Sequence, residues 1–196
     1  MPTSDWPFAG SPLVLSDRLI LNLGAVEKEA GIVALDLSDG KTIWEATEHE
    51  YAHTTPTAAT IDGQQRVFVL TFEGLVCLNP KDGTVDWEVA HQVRDPTGMN
   101  GTNAVSPVVI DDRVCVVSGP KVKPGLRCFQ VLPDGTYEET WRAIWLSPKR
   151  LIRDRDCGIG SYSKIPICVS FLDLARSSRD EFLRCFCHLG GEFNTS

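Results

Sequence analysis

The sequence predicts an all-β protein made of repeated four-stranded units. Three observations carry this. Asp39-Gly40 and Asp82-Gly83 lie 43 residues apart, and so do Trp44 and Trp87. A small hydroxyl residue followed by proline opens each unit, at Ser11-Pro12, Thr55-Pro56 and Ser106-Pro107. Between these marks lie short runs of Val, Ile, Leu and aromatic residues, the composition of β-strands, separated by turn residues.

The first unit holds runs at Leu13–Leu15, Arg18–Leu23, Gly31–Leu37 and Thr42–Ala46. The second holds Thr57–Ile61, Arg66–Thr71, Gly74–Leu78 and Val85–Ala90. The third holds Val108–Ile110, Arg113–Ser118, Leu126–Val131 and Thr136–Arg142. Ser16-Asp17, Asp62-Gly63 and Asp111-Asp112 supply the turn between the first two strands of each unit. The Asp-Gly pair supplies the turn between the last two, where glycine adopts positive φ at little cost. The longer spacing before the third unit falls in RDPTGMNGTNA (94–104), whose Gly, Asn and Pro content predicts a lengthened loop.

A repeat of about 44 residues with four antiparallel strands is the size of one β-propeller blade. A lone blade cannot bury both faces of its sheet, so repetition is a physical requirement. Trp44 and Trp87 are expected to end the outer strand of their blades and cover the seam to the next. Asp36 and Asn79 are expected to cap the adjoining turns through bonds to backbone N–H groups.

These residues resemble the quinoprotein, or pyrroloquinoline-quinone-like, β-propeller repeat family. Its tryptophan-docking motif is matched fully by Ala34, Asp36, Gly40, Lys41 and Trp44. Asn79, Gly83 and Trp87 match in the second unit, where Cys77 and Thr84 depart. The third unit keeps Asp134, Gly135 and a displaced Trp141. The resemblance covers residues 6–145 and implies about three blades, near 11–46, 55–90 and 106–142. It implies a non-catalytic propeller scaffold, a fragment of a longer protein, that binds another protein or a ligand through its loops, with no cofactor expected. Its alternative implication is part of a PQQ- and Ca-dependent dehydrogenase of the alcohol or polyvinyl alcohol type. Members of the family are usually periplasmic or secreted. The N-terminal MPTSDWPFAGSP lacks a signal-peptide pattern, so the chain as written is expected in the cytoplasm.

The charge excludes some partners. Net charge is −7, which disfavours phosphate binding and hence nucleic acid. No apolar run is long enough for a membrane span. Calcium for a quinone site would need hard oxygen ligands, and Asp95, Asn100, Asn103 and Glu73 are the candidates. None falls in a matching motif. His49 and His53 are four apart, but in a region between strands where they read as a solvated loop. Cys77, Cys115 and Cys128 stand at strand positions and read as small buried hydrophobes. No disulfide framework is expected.

Residues 146–196 differ in composition. They carry 8 Lys/Arg against 6 Asp/Glu, while residues 1–145 carry 11 against 20. Ser147-Pro148 resembles the opening of a fourth unit, but the repeat then stops. Asp173–Leu189 predicts a short helix ended by Gly190-Gly191. Cys185, Cys187 and His188, with Cys157 and Cys168, have the residue types of a zinc site, but no paired Cys-x-x-Cys appears and no metal is expected there. Three readings of this tail stand: a frameshifted or noncognate segment, a cap on the third blade, or a partner-binding helix. The abrupt loss of the repeat favours the first.

Overall fold

The computed structural model of the chain describes residues 10–24, 30–93, 101, 103–118, 124–147 and 150–153, with 144–147 and 150–153 described by backbone pairing. Three antiparallel sheets follow one another along the chain. The first is β1 (Leu13–Leu15), β2 (Arg18–Asn22), β3 (Ile32–Asp36) and β4 (Thr42–Ala46). The second is β5 (Thr57–Ile61), β6 (Gln64–Leu70), β7 (Gly74–Leu78) and β8 (Val85–Ala90). The third is β9 (Val108–Ile110), β10 (Arg113–Val117), β11 (Leu126–Val131), β12 (Tyr137–Ser147) and β13 (Arg150–Arg153). Each sheet pairs its strands in chain order, the blade pattern of a partial propeller.

Strand alternation decides which side chains fill the seams, because successive residues point to opposite faces. Ile20, Ile32, Ala34, Trp44 and Ala46 of the first blade pack against Val67, Val69, Val76 and Leu78 of the second. The other face of the second blade, with Phe68, Leu70, Leu75, Cys77, Trp87 and Val89, packs on Val114, Val116, Phe129 and Val131 of the third. The middle blade is therefore apolar on both faces. Its strand β7 is buried at every position, as expected for a strand covered on both sides.

The third sheet departs from expectation. It has five strands, and β12 runs to Ser147 instead of ending at Arg142. Ser147 does not open a new unit, because it pairs with Arg150 in the β12–β13 hairpin. The β11–β12 ladder also reaches two pairs beyond its counterparts, with Gln130↔Glu138 and Val131↔Tyr137. That extension absorbs the two extra residues between Gly135 and Trp141. Trp141 pairs with Cys128 just as Trp44 pairs with Ala34 and Trp87 with Cys77, each beside a register shift. Displaced in sequence, Trp141 is in step in the ladder. The expected helix at 173–189 and the Cys157, Cys168, Cys185, Cys187 and His188 cluster lie outside the described residues.

The cysteines bring a second correction. Cys115 and Cys128 are buried as expected, yet they form a disulfide, while Cys77 is a buried free thiol. The cause is register: β10 and β11 set the two residues directly opposite each other, with Cα atoms 4.2 Å apart. Burial pushes the Cys77 thiol up to about 12, and the Asp86 charge adds to it, so it stays protonated.

Candidate functional site

The repeated motif builds the seams between blades. Asp36 Oδ1 accepts from Ser38 N–H at 2.7 Å, and Asn79 Oδ1 accepts from Lys81 N–H at 3.0 Å. Asp39, Asp82 and Asp134 likewise accept from the N–H groups of Lys41, Thr84 and Thr136, each at 3.0 Å. Hydrogen bonds to Ser38, Thr84 and Thr136 hold the Asp36, Asp82 and Asp134 carboxyls below the usual carboxylate range. The Lys41 ammonium pairs with Asp39 at 2.5 Å on the surface. Gly40, Gly83 and Gly135 have φ of 74, 75 and 87°, where a side chain would be strained.

Trp44 crosses the first seam. Its Nε1 donates to the Pro80 carbonyl at 2.9 Å, and its ring covers Gly83. Arg18 Nη1 donates to the carbonyls of Pro80 and Lys81 at 2.7 and 2.9 Å. The hydroxyl–proline pairs form a ladder across both seams: Ser11 N–H donates to Thr55 Oγ1 at 3.0 Å, and Thr55 N–H to Ser106 Oγ at 2.8 Å.

The second seam uses other contacts. The third-blade turn is one residue shorter, since Leu132 N–H bonds Thr136 where Asn79 N–H bonds Thr84. The buried Nε1 of Trp87 has no hydrogen-bond partner, and its ring lies tilted against Tyr137 with ring centroids 4.6 Å apart. Arg66, ion-paired to Asp86, lies against Gly135. Arg127 Nη1 donates to the Ala90 carbonyl at 2.6 Å. Burial would raise the Glu139 carboxyl, but hydrogen bonds from Arg127 and Arg142 overcome it and bring it down to about 2.

The end of the blades opposite the Asp-Gly turns is stitched by buried polar groups. Asn22 Nδ2 donates to Thr54 Oγ1 at 3.3 Å, and Thr54 Oγ1 donates to the Leu70 carbonyl at 2.5 Å. Asn103 Nδ2 donates to the carbonyls of Thr71 and His91 at 2.7 and 3.0 Å. Both Glu73 oxygens accept from Glu50 N–H. His49 Nδ1 meets Thr71 Oγ1 at 3.0 Å, and His53 Nδ1 meets the Tyr51 hydroxyl at 2.8 Å. The His91 ring is fully buried with neither nitrogen hydrogen-bonded. Burial, aided by the Arg127 charge, pulls its pKa down to about 3.

These contacts bear on the calcium candidates. Glu73 is bonded to a backbone N–H, and Asn103 turns its amide N–H groups onto carbonyls. Asp95 and Asn100 lie outside the described residues. Among the described residues no three His, Cys, Asp or Glu side chains come together as a metal site. Among the described residues, Glu73 and Asn103 are turned onto backbone groups and do not form an oxygen cage of the kind a calcium ion takes. The seam contacts of Arg18, Arg66 and Arg127 were not legible in the sequence, because nothing local distinguishes an arginine that crosses to another sheet.

The comparisons place the chain. The family of outer membrane protein assembly factor BamB matches residues 3–157, and the chain belongs to that family. Its fold and repeat are those of a PQQ-like β-propeller. Among solved structures, the crystal structure of BamB from Moraxella catarrhalis is similar at 17% identity and a TM-score of 0.33. That match covers 62% of this chain and 42% of the Moraxella chain, so it spans less than half of the latter's length. No curated protein matches the chain. Among the described residues no helix is long and apolar enough to cross a membrane.

Proposed function

We propose that the protein is a non-catalytic propeller scaffold without a quinone cofactor. It binds another protein through the loops between its blades, outside the cytoplasm, in the assembly of outer-membrane proteins. One observation carries the non-catalytic reading: polar groups that an enzyme would present to a substrate are here engaged with backbone. Glu73, Asn103, Asn22 and Thr54 all hold loops in place, and His91 sits where no solvent reaches it. Family membership supports the role in assembly. The Cys115–Cys128 disulfide supports the compartment, since such bonds persist where the surroundings are oxidising.

Reconstitution tests the first half. The full chain is mixed with PQQ and Ca²⁺, and reduction of an artificial electron acceptor by an alcohol is followed. No reduction above the protein-free rate is expected; quinone-dependent turnover would show a dehydrogenase instead. Deleting the gene in its host tests the second half. Folded β-barrel proteins in the outer membrane should fall, and unchanged amounts would remove the assembly role.

A further inference from the structure

The three sheets end differently on their outer side. In the third, β13 pairs antiparallel along β12, from Ala143↔Arg153 to Ser147↔Arg150, as a fifth strand. β4 and β8 hold the place of β12 in their own blades, and each is the last strand of its sheet. The inner strands lie together, with β5 beside both β1 and β9. The outer edges of β4 and β8 therefore stand at the rim, each with a row of N–H and C=O groups that no described strand pairs. Along β8, Val85, Asp86, Glu88 and Ala90 are exposed, and only toward its end does Arg127 take the Ala90 carbonyl. β8 belongs to the middle blade, whose two faces are both covered. Its edge does not depend on what flanks the three blades.

Alternation gives this edge two unlike faces. Trp87 and Val89 turn toward the third blade and join its apolar core. Asp86 and Glu88 alternate with them. Asp86 is committed to Arg66, while the Glu88 side chain is 58% exposed and meets His49 Nε2 at 3.4 Å. β4 repeats the arrangement, with Trp44 and Ala46 buried in the first seam and Glu45 between them exposed. Neither strand carries a lysine or arginine. Two copies of the β8 edge laid antiparallel would set Asp86 and Glu88 against like charges, which destabilises cross-strand pairs. The edge is guarded against its own copy and complementary to a strand of opposite charge.

We propose that the outer edge of β8 binds an extended segment of another protein by strand addition, as β12 takes β13. The segment runs antiparallel to β8 and alternates basic with apolar residues. Its basic side chains lie beside Asp86 and Glu88. Its apolar side chains lie on the face of Trp87 and Val89 and extend the apolar seam outward. In recognition of this kind the main-chain hydrogen bonds supply affinity, and the alternate side chains supply selectivity. The β4 edge is of the same type, since Glu45 follows Trp44 as Glu88 follows Trp87. The inference rests on the rim of the blades and is independent of what the loops bind.

Fluorescence anisotropy on the full chain tests it. The probe is a labelled peptide of alternating lysine and valine, capped at both ends and six residues long like β8. It should bind saturably, and its glutamate–valine counterpart should not. N-methylating the backbone amides of the probe keeps its charge and removes its donors. That change should weaken binding by on the order of tenfold or more. Glu88→Lys should weaken it to a similar degree, and Glu88→Gln less. Asp62→Lys makes the same change of charge in the exposed β5–β6 turn, so binding should persist. Circular dichroism confirms that each variant is folded. In the complex, hydrogen exchange should slow at the β8 amides. Failure to bind, binding indifferent to N-methylation or to Glu88→Lys, or protection away from β8 would each overturn the proposal.

Discussion

A β-carbon added to Gly83 would lie 2.7 Å from two ring carbons of Trp44. Real contacts of that kind do not occur, so the glycine is required by a tryptophan 39 residues earlier in the chain. Gly83→Ala therefore combines two costs, the strain of positive φ and displacement of the indole. Gly63→Ala carries the first alone, on the order of 1 kcal/mol. Thermal denaturation should show Gly83→Ala as the clearly more damaging change. Equal losses would mean that the indole is free to move aside.

The two seam tryptophans should differ when replaced by phenylalanine. Trp44→Phe deletes one of the two hydrogen bonds to the Pro80 carbonyl and leaves it only the Arg18 bond, a loss of about 0.5–1.5 kcal/mol. Trp87→Phe deletes a buried N–H that has no partner, which offsets part of the lost packing. Urea unfolding of the pair should rank Trp44→Phe as the less stable variant. The reverse order would sink the assignment of the Pro80 bond as a seam contact.

Stability should fall in acid, for two reasons of the same sign. His91 is held neutral in the fold, near pKa 3 against 6.5. The unfolded chain therefore binds the extra proton first, and stability drops as pH falls below 6.5. Glu139, near 2 against 4.5, adds its loss as pH falls below 4.5. Melting temperature followed from pH 7 to 4 should decline, and His91→Leu should flatten the upper part of that decline. A His91→Leu profile parallel to the wild type would show that His91 does not titrate on unfolding.

Reduction should loosen the third blade. The disulfide closes a loop with a sequence separation of 13, and on the chain-entropy view its removal costs about 3 kcal/mol. Dithiothreitol should lower the melting temperature of the wild type and leave a Cys115→Ala, Cys128→Ala double variant unchanged. If reductant lowers both alike, the bond contributes nothing.

Much of this architecture is legible in the sequence, because its signals are local and repeated. The Asp-Gly pairs fix the β3–β4 and β7–β8 turns, and seven of the twelve expected strands begin and end at the residues the runs indicate. Asp36 and Asn79 were identifiable as turn caps for the same reason. The disulfide was hidden because it depends on the register of β10 against β11, set across a loop rather than by neighbouring residues. The orphaned Trp87 N–H was hidden because its surroundings come from the third-blade turn, 45 residues further on, whose single missing residue no periodicity reveals. Trp141 was read as displaced because spacing was counted from the turn, whereas the ladder counts from Cys128.

The contacts that Ser11, Arg18 and Trp44 make across the first seam also have a consequence for biosynthesis. Trp44, Arg18 and Ser11 leave the ribosome before the groups that receive them exist. Their acceptors Pro80 and Thr55 are encoded by the following repeat. At roughly 5–20 residues per second, a repeat of about 44 residues takes some 2–9 seconds to emerge. For that interval the first blade shows the cell a greasy sheet with the Trp44 indole still without its acceptor. The chain thus passes through a succession of half-finished surfaces, each a fresh opportunity for a chaperone to bind before the next blade does.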